Sequence, residues 1–448
     1  MHLLRHAWCH PPTHRRVWAL AAPMILSNLS VPLVALVDSA VAGHLPFAHQ
    51  LGAVAVGSAL YVLLSGVLGF LRMGTTGFAA QAAGRGDAGA LRRVLLQSLA
   101  LSLGLALLLG LLAWPLAQSA LDLMAPSAAL DQQARAFFQV RLLGLPAGLA
   151  NYALVGWFLG TQNARAPLMI LLATNLSNAA LAVGLVIGLD WGVTGAAWAA
   201  VIAEWGGALL GLTLARRALR SHPGRIDWSS LRLWRHWRPL LAVNRDIFIR
   251  SLALQLVFFL VTVQGARLGD ATVAANALLL NGLLVCAYAL DGLAHALEAL
   301  CGHAIGAGDR LALRRTLVVA GGWALLASGA FAVFFACAGG WFVALQTDID
   351  DVRAVAQDYL PYLALLPLIA VWSYLLDGLF IGATRAREMR DAMLLALALA
   401  LPLGLALQGW GNHGLWLAFL GFMLLRGLIM ALYAGSLTRR NGWTERTA

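Results

Sequence analysis

The chain has 448 residues, 60% hydrophobic and 11% charged, with a mean hydropathy of +0.77 and a formal net charge of +11. Soluble domains carry roughly 25% charged residues, and here apolar runs of about 20 residues, the length a membrane span needs, recur from end to end. A soluble protein is excluded, and the positive charge, all of it arginine, reads as membrane topology and contact with anionic lipid rather than nucleic-acid binding.

In chain order the pattern predicts a cytoplasmic tail over 1–16 and six spans, at 17–43, 52–83, 92–117, 134–160, 166–188 and 191–217. A linker over 218–238 follows, then six more spans at 239–266, 271–304, 313–345, 353–382, 388–408 and 414–437, and a tail over 438–448. His2, His6, His10 and His14 recur in the first tail and read as an unstructured leader rather than a metal site. Cys9, Cys286, Cys301 and Cys337 are scattered, with neither disulfide nor metal spacing. Arginines gather in both tails, in the linker, and in the loops after spans 2, 4, 8 and 10. The other loops carry mostly aspartate. Both termini are therefore expected in the cytoplasm. Trp and Arg mix in "IDWSSLRLWRHWR" (226–238), which predicts a short helix lying on the inner leaflet.

The two groups of six spans repeat each other. "GRGDAGALRR" (84–93) matches "GAGDRLALRR" (306–315), and "GWFLGTQNAR" (156–165) matches "GLFIGATRAR" (378–387), both at an offset of 222. "WGVTG" (191–195) echoes "WGNHG" (410–414) at 219. The fold class is thus an all-α polytopic membrane protein of twelve transmembrane helices in two pseudo-symmetric six-helix lobes. Even-numbered repeats share one orientation, as in transporters whose lobes alternate access to a central cavity.

A charge at bilayer depth is costly, so each embedded one needs a reason. Asp38, in "VPLVALVDSAVAG", has no partner nearby in the sequence. A carboxyl taken out of water favours its neutral form, which makes Asp38 a candidate proton carrier or a counter-ion for a cationic ligand. Asn28, Asn175 and Asn178 add polar groups to spans 1 and 5, and Arg141 on span 4 and Glu204 on span 6 are candidates to pair within the first lobe. Arg72 on span 2 is a candidate gate. In the second lobe Asp246 and Arg250 are four residues apart and share a helix face. With Asp291, Glu298 and Asp377 they read as an inner network that packs spans 7, 8 and 10 or serves as a gate or second proton site. Arg426 is embedded in span 12. There is no HExxH, Walker or GxSxG pattern, so no enzyme activity is expected.

These residues resemble the multidrug and toxic compound extrusion (MATE) family in its DinF-like branch. The carriers are "AAPMILSNLSVPLVALVDSAVAGHL", "GFLRMGTTGFAAQAAGRGD", "GAAWAAVIAEW", "NRDIFIRSLALQ", "YALDGLAHALEALCGHAIGAGD" and "LLDGLFIGATRAREM". The resemblance implies two lobes in a V, a bacterial inner-membrane location, a monomer, and efflux of organic cations or other toxic amphiphiles in exchange for H⁺ or Na⁺. It implies that Asp38 takes the proton beside Asn178. Relatives continue that network with an Asp and a Thr where this sequence has Ala182 and Ala200. Losing two oxygen ligands favours H⁺ over Na⁺, with no metal site and no cofactor. A lipid or lipid-linked precursor flippase with a cationic cavity is the second reading, and a non-transporting scaffold or sensor the third.

Overall fold

The structure is a computed structural model that describes residues 7–124, 126–221, 224, 228–440 and 442–443. Among them every regular element is helical. Eleven helices are long and apolar enough to span a membrane: Pro11–Gly43, Ala48–Gly84, Ala88–Met124, Arg165–Gly188, Gly192–Arg220, Trp234–Arg267, Asp270–Gly306, Arg310–Ala344, Asp350–Gly382, Ala386–Ala406 and Gln408–Arg439. The pair Ala128–Leu142 and Leu145–Gly160 supplies the remaining one, as span 4 with a 44° bend. These are spans 1 to 12 below.

The break in span 4 follows from its sequence. Pro146 has no amide hydrogen to give the preceding turn, and the second helix starts with it in its first turn. The amides of Leu143 and Gly144 tighten to three-residue bonds on Val140 and Arg141. Trp205 of span 6 then donates its indole N–H to the Leu143 carbonyl at 3.0 Å, so the interrupted ladder leaves that group bonded.

The chain divides into two compact units. One is Leu26–Leu240, and the other is the chain from Leu241 onward together with its start, up to Ile25. A first lobe beginning at residue 17 therefore needs correcting. Val17, Leu20, Ala21 and Met24 form a buried stripe at helical spacing, and Gly292 of span 8 lies against Ile25 and the Ala21 carbonyl. The leader is also more ordered than expected. His14 lies inside span 1, where it accepts from Trp323 at 3.0 Å and bonds the Trp8 carbonyl at 2.6 Å, with Trp18 edge-on to Trp323. His2 and His6 lie outside the described residues. Among its described residues the linker holds a five-residue helix, Trp228–Arg232, and Trp234 already belongs to span 7. Residues 226 and 227 of the expected interfacial helix lie outside the described residues.

The duplication is visible at the level of single atoms. Gly156 and Gly160 of span 4 let the backbone of span 2 approach. A Cβ on Gly160 would meet the Thr76 carbonyl at 2.7 Å and the Ala80 amide at 2.8 Å. Gly378 and Gly382 of span 10 do the same on span 8, against the carbonyls of Ala294 and Glu298 and the Gly302 amide. Every one of these contacts is related by 222 residues: 156 to 378, 160 to 382, 76 to 298 and 80 to 302. Small residues four apart are the usual device for close packing in lipid. The turns repeat too. Gly86 and Gly308 have positive φ, +68° and +71°, and the following Asp87 and Asp309 cap the next helix at Ala90 and Ala312, both at 2.8 Å.

Candidate functional site

A cavity of about 500 Å³ opens within the first unit, walled by spans 1, 2, 4, 5 and 6. Asp38 stands at its exposed margin, and Asn178 of span 5 is buried behind it. The Asn178 amide donates to both Asp38 oxygens, at 3.2 and 3.3 Å. One turn earlier on span 5, Asn175 donates to Ser30 of span 1 at 2.6 Å. Span 1 is thus tied to span 5 by two amides, one of which reads the charge of Asp38. Asn28 is half-buried on span 1. Ala182 and Ala200 both line the cavity, so its wall presents methyl groups where the resemblance implies oxygen ligands.

The opposite wall carries an ion pair that the sequence suggested but did not place. Arg141, in the last turn before the span 4 break, donates from Nη2 to Glu204 Oε1 at 2.9 Å. Its guanidinium lies 3.8 Å from the centre of the Tyr61 ring, a cation–π contact. Asn151 donates to the Glu204 carbonyl at 3.0 Å. Gly144 makes room for this carboxylate, since a Cβ there would run into Glu204. Tyr61, Asn151 and Trp205 were missed because in sequence each is an ordinary polar or aromatic residue on an apolar helix. The Gly144–Pro146 step was the one available signal.

The second unit contains the counterpart cavity, of about 300 Å³. Its wall residues Val257, Leu260, Val261 and Gln264 follow Ala35, Asp38, Ser39 and Ala42 by 222. Leu397, Ala400 and Gly404 follow Asn175, Asn178 and Ala182 by the same offset, and Phe419 and Phe422 follow Ala200 and Ala203 by 219. The cavity is duplicated, but its carboxylate and both amides are confined to the first copy.

Comparison with known proteins bears on the same duplication. A family model described as MatE matches residues 23–183 and again residues 247–407. The chain belongs to the MatE family. It is 46% identical over 444 residues to DNA damage-inducible protein F of Escherichia coli K12, the match covering 97% of this chain and 94% of that protein. It is 28% identical to a probable multidrug resistance protein NorM of Deinococcus radiodurans, over 92% and 93% of the two chains. The crystal structure of a mutant Vibrio cholerae MATE transporter superposes with a TM-score of 0.85 at 20% identity, over 97% and 99%.

In this MatE protein the second-lobe charges pair differently from the sequence expectation. Asp246 and Arg250 share a helix face, yet each pairs elsewhere. Asp246 accepts from Arg390 of span 11 at 2.8 Å and from Arg245 at 2.9 Å. Arg250 reaches Asp377 of span 10, and Arg426 of span 12 binds the same carboxylate oxygen. The pairs therefore run from span 7 to spans 10 and 11, and from span 10 to span 12. Across a helix–helix contact a partner meets the charged head directly, whereas an i,i+4 pair must curl along its own surface. Glu298 is buried and Asp291 half-buried on span 8. Arg72 is half-buried on span 2, just beyond the 3₁₀ turn Gly66–Gly69, and its carbonyl accepts from Thr76 at 2.8 Å.

Proposed function

We propose that this protein is a secondary active efflux antiporter of the bacterial inner membrane, acting as a monomer with both termini in the cytoplasm. It exports organic cations or other amphiphiles in exchange for protons carried by Asp38. The carrying observation is the forked contact from Asn178 to Asp38 at a cavity whose duplicate holds Leu260 and Ala400. An ionised carboxylate accepts from the amide on both oxygens. Once protonated it gains a donor and keeps its carbonyl acceptor, so the fork gives way to a single N–H···O bond without charge assistance. Loading a proton thereby loosens a link between spans 1 and 5, and deprotonation restores both the link and a negative charge for a cationic substrate.

Proton coupling draws support from Ala182 and Ala200. A Na⁺ ion needs several oxygen ligands, and these two methyls supply none, whereas a proton needs one basic atom. The flippase reading has less support. It asks for uncommitted cationic groups, yet Arg250 and Arg426 pair with Asp377, and Arg141 commits one terminal nitrogen to Glu204. The test is substrate-induced proton flux in proteoliposomes with Asp38→Asn, which keeps the shape and removes the titration. Flux is expected to fall to the level of protein-free vesicles. Flux equal to that of the unmodified protein would sink the proposal and direct attention to Asp246, Asp291, Glu298 and Asp377.

A further inference from the structure

Three acidic or basic side chains share the first-lobe cavity: Asp38 on span 1, Arg141 on span 4 and Glu204 on span 6. Arg141 is anchored to Glu204 through one terminal nitrogen. Its other terminal nitrogen, Nη1, is buried with no hydrogen-bond partner, and so is Glu204 Oε2. The guanidinium is thus half committed. It lines the same cavity as Asp38. Its plane is held by the Tyr61 ring, and its stem ends at the span 4 break.

We infer that Arg141, braced by Glu204 and Tyr61, is the positioning residue that sets when Asp38 takes up and gives off its proton. This rests on the reading of Asp38 as proton carrier and adds the group that tunes it. With Asp38 ionised, two carboxylates compete for one guanidinium, and the uncommitted Nη1 has a use. With Asp38 protonated, the remaining charges cancel and Arg141 belongs to Glu204 alone. The proton on span 1 is in this way felt at the break in span 4. Glu204 lies one turn beyond Ala200 on span 6, so an ionisable group persists on this wall where the oxygen network is missing. The other polar groups facing the site are neutral: Ser39 on span 1, Ser58 and Tyr61 on span 2, and Thr174, Asn175 and Asn178 on span 5.

The test is an infrared titration of the Asp38 carboxyl band in the full-length protein in nanodiscs, with the band assigned by its loss in Asp38→Asn. In Glu204→Gln the positive charge of Arg141 is uncompensated, so the Asp38 midpoint should move to lower pH by about one unit. In Arg141→Met it should move up by a similar amount, and in Arg141→Lys, which keeps the charge, it should stay within about half a unit of the unmodified protein. The double variant Arg141→Met/Glu204→Gln removes both charges, and its midpoint should lie between those of the two single variants. Should Arg141→Met fail to fold, the reversal of the Glu204→Gln shift by the double variant decides the matter alone. Shifts in one direction for both single variants, a midpoint unmoved in Glu204→Gln, or a double variant that keeps the Glu204→Gln shift would overturn the inference. Failure of the underlying reading looks different: Asp38→Asn would keep its proton flux while the carboxyl band still responded to Glu204.

Discussion

Two arginines share one carboxylate oxygen in the second lobe, and all three side chains are buried. Arg250 and Arg426 sit on different helices, so Asp377 holds spans 7, 10 and 12 together. Removing one member of a buried ionic cluster leaves charge without compensation, a loss of about 3–5 kcal/mol. Asp377→Ala is therefore expected to lower the thermal midpoint in detergent far more than Asp246→Ala, because Arg390, which pairs with Asp246, also binds Asp391 at 2.6 Å. A drop of equal size in both variants would argue against the clamp. The sequence made these embedded charges conspicuous one by one. It did not say which would meet, because partners come from helices far apart in the chain, 127 residues for Arg250 and Asp377 and 49 for Arg426 and Asp377. Asp38 differs: its apolar neighbours in sequence gave no hint of Asn178, 140 residues on, but the family resemblance set the two side by side.

At the level of elements, hydropathy located the spans because each is one apolar run bounded by polar turns. It did not show that span 4 is broken, since residues 142–147 remain apolar through the bend. The break arises from Gly144 and Pro146 and matters because it sets Arg141 against Glu204. The contacts between spans 2 and 4, and between 8 and 10, depend on missing side chains. Gly160→Ala and Gly382→Ala each put a methyl group against backbone that cannot step aside. Each should cost about 1–3 kcal/mol, read as a lower midpoint of thermal unfolding. Gly329→Ala, at a glycine with open space around it, should change little. Comparable losses at all three positions would mean that helix packing is not the reason for the first two.

For the whole molecule, the offset of 222 residues visible in two loop sequences proved to run through turns, packing glycines and a cavity. The duplication was legible because the loops kept their Gly, Asp and Arg residues. The paired cavities were not legible, because their walls diverged from Asp38, Asn175 and Asn178 to Leu260, Leu397 and Ala400. That divergence leaves the cavity carboxylate in one lobe and is the strongest reason to seek coupling there. The most direct measurement is transport of a cationic dye in proteoliposomes under separately imposed H⁺ and Na⁺ gradients, for the unmodified protein and for Asp38→Asn. The account predicts dye movement driven by the H⁺ gradient alone and lost in the variant. Movement driven by Na⁺, or an H⁺-driven rate that survives Asp38→Asn, would contradict it.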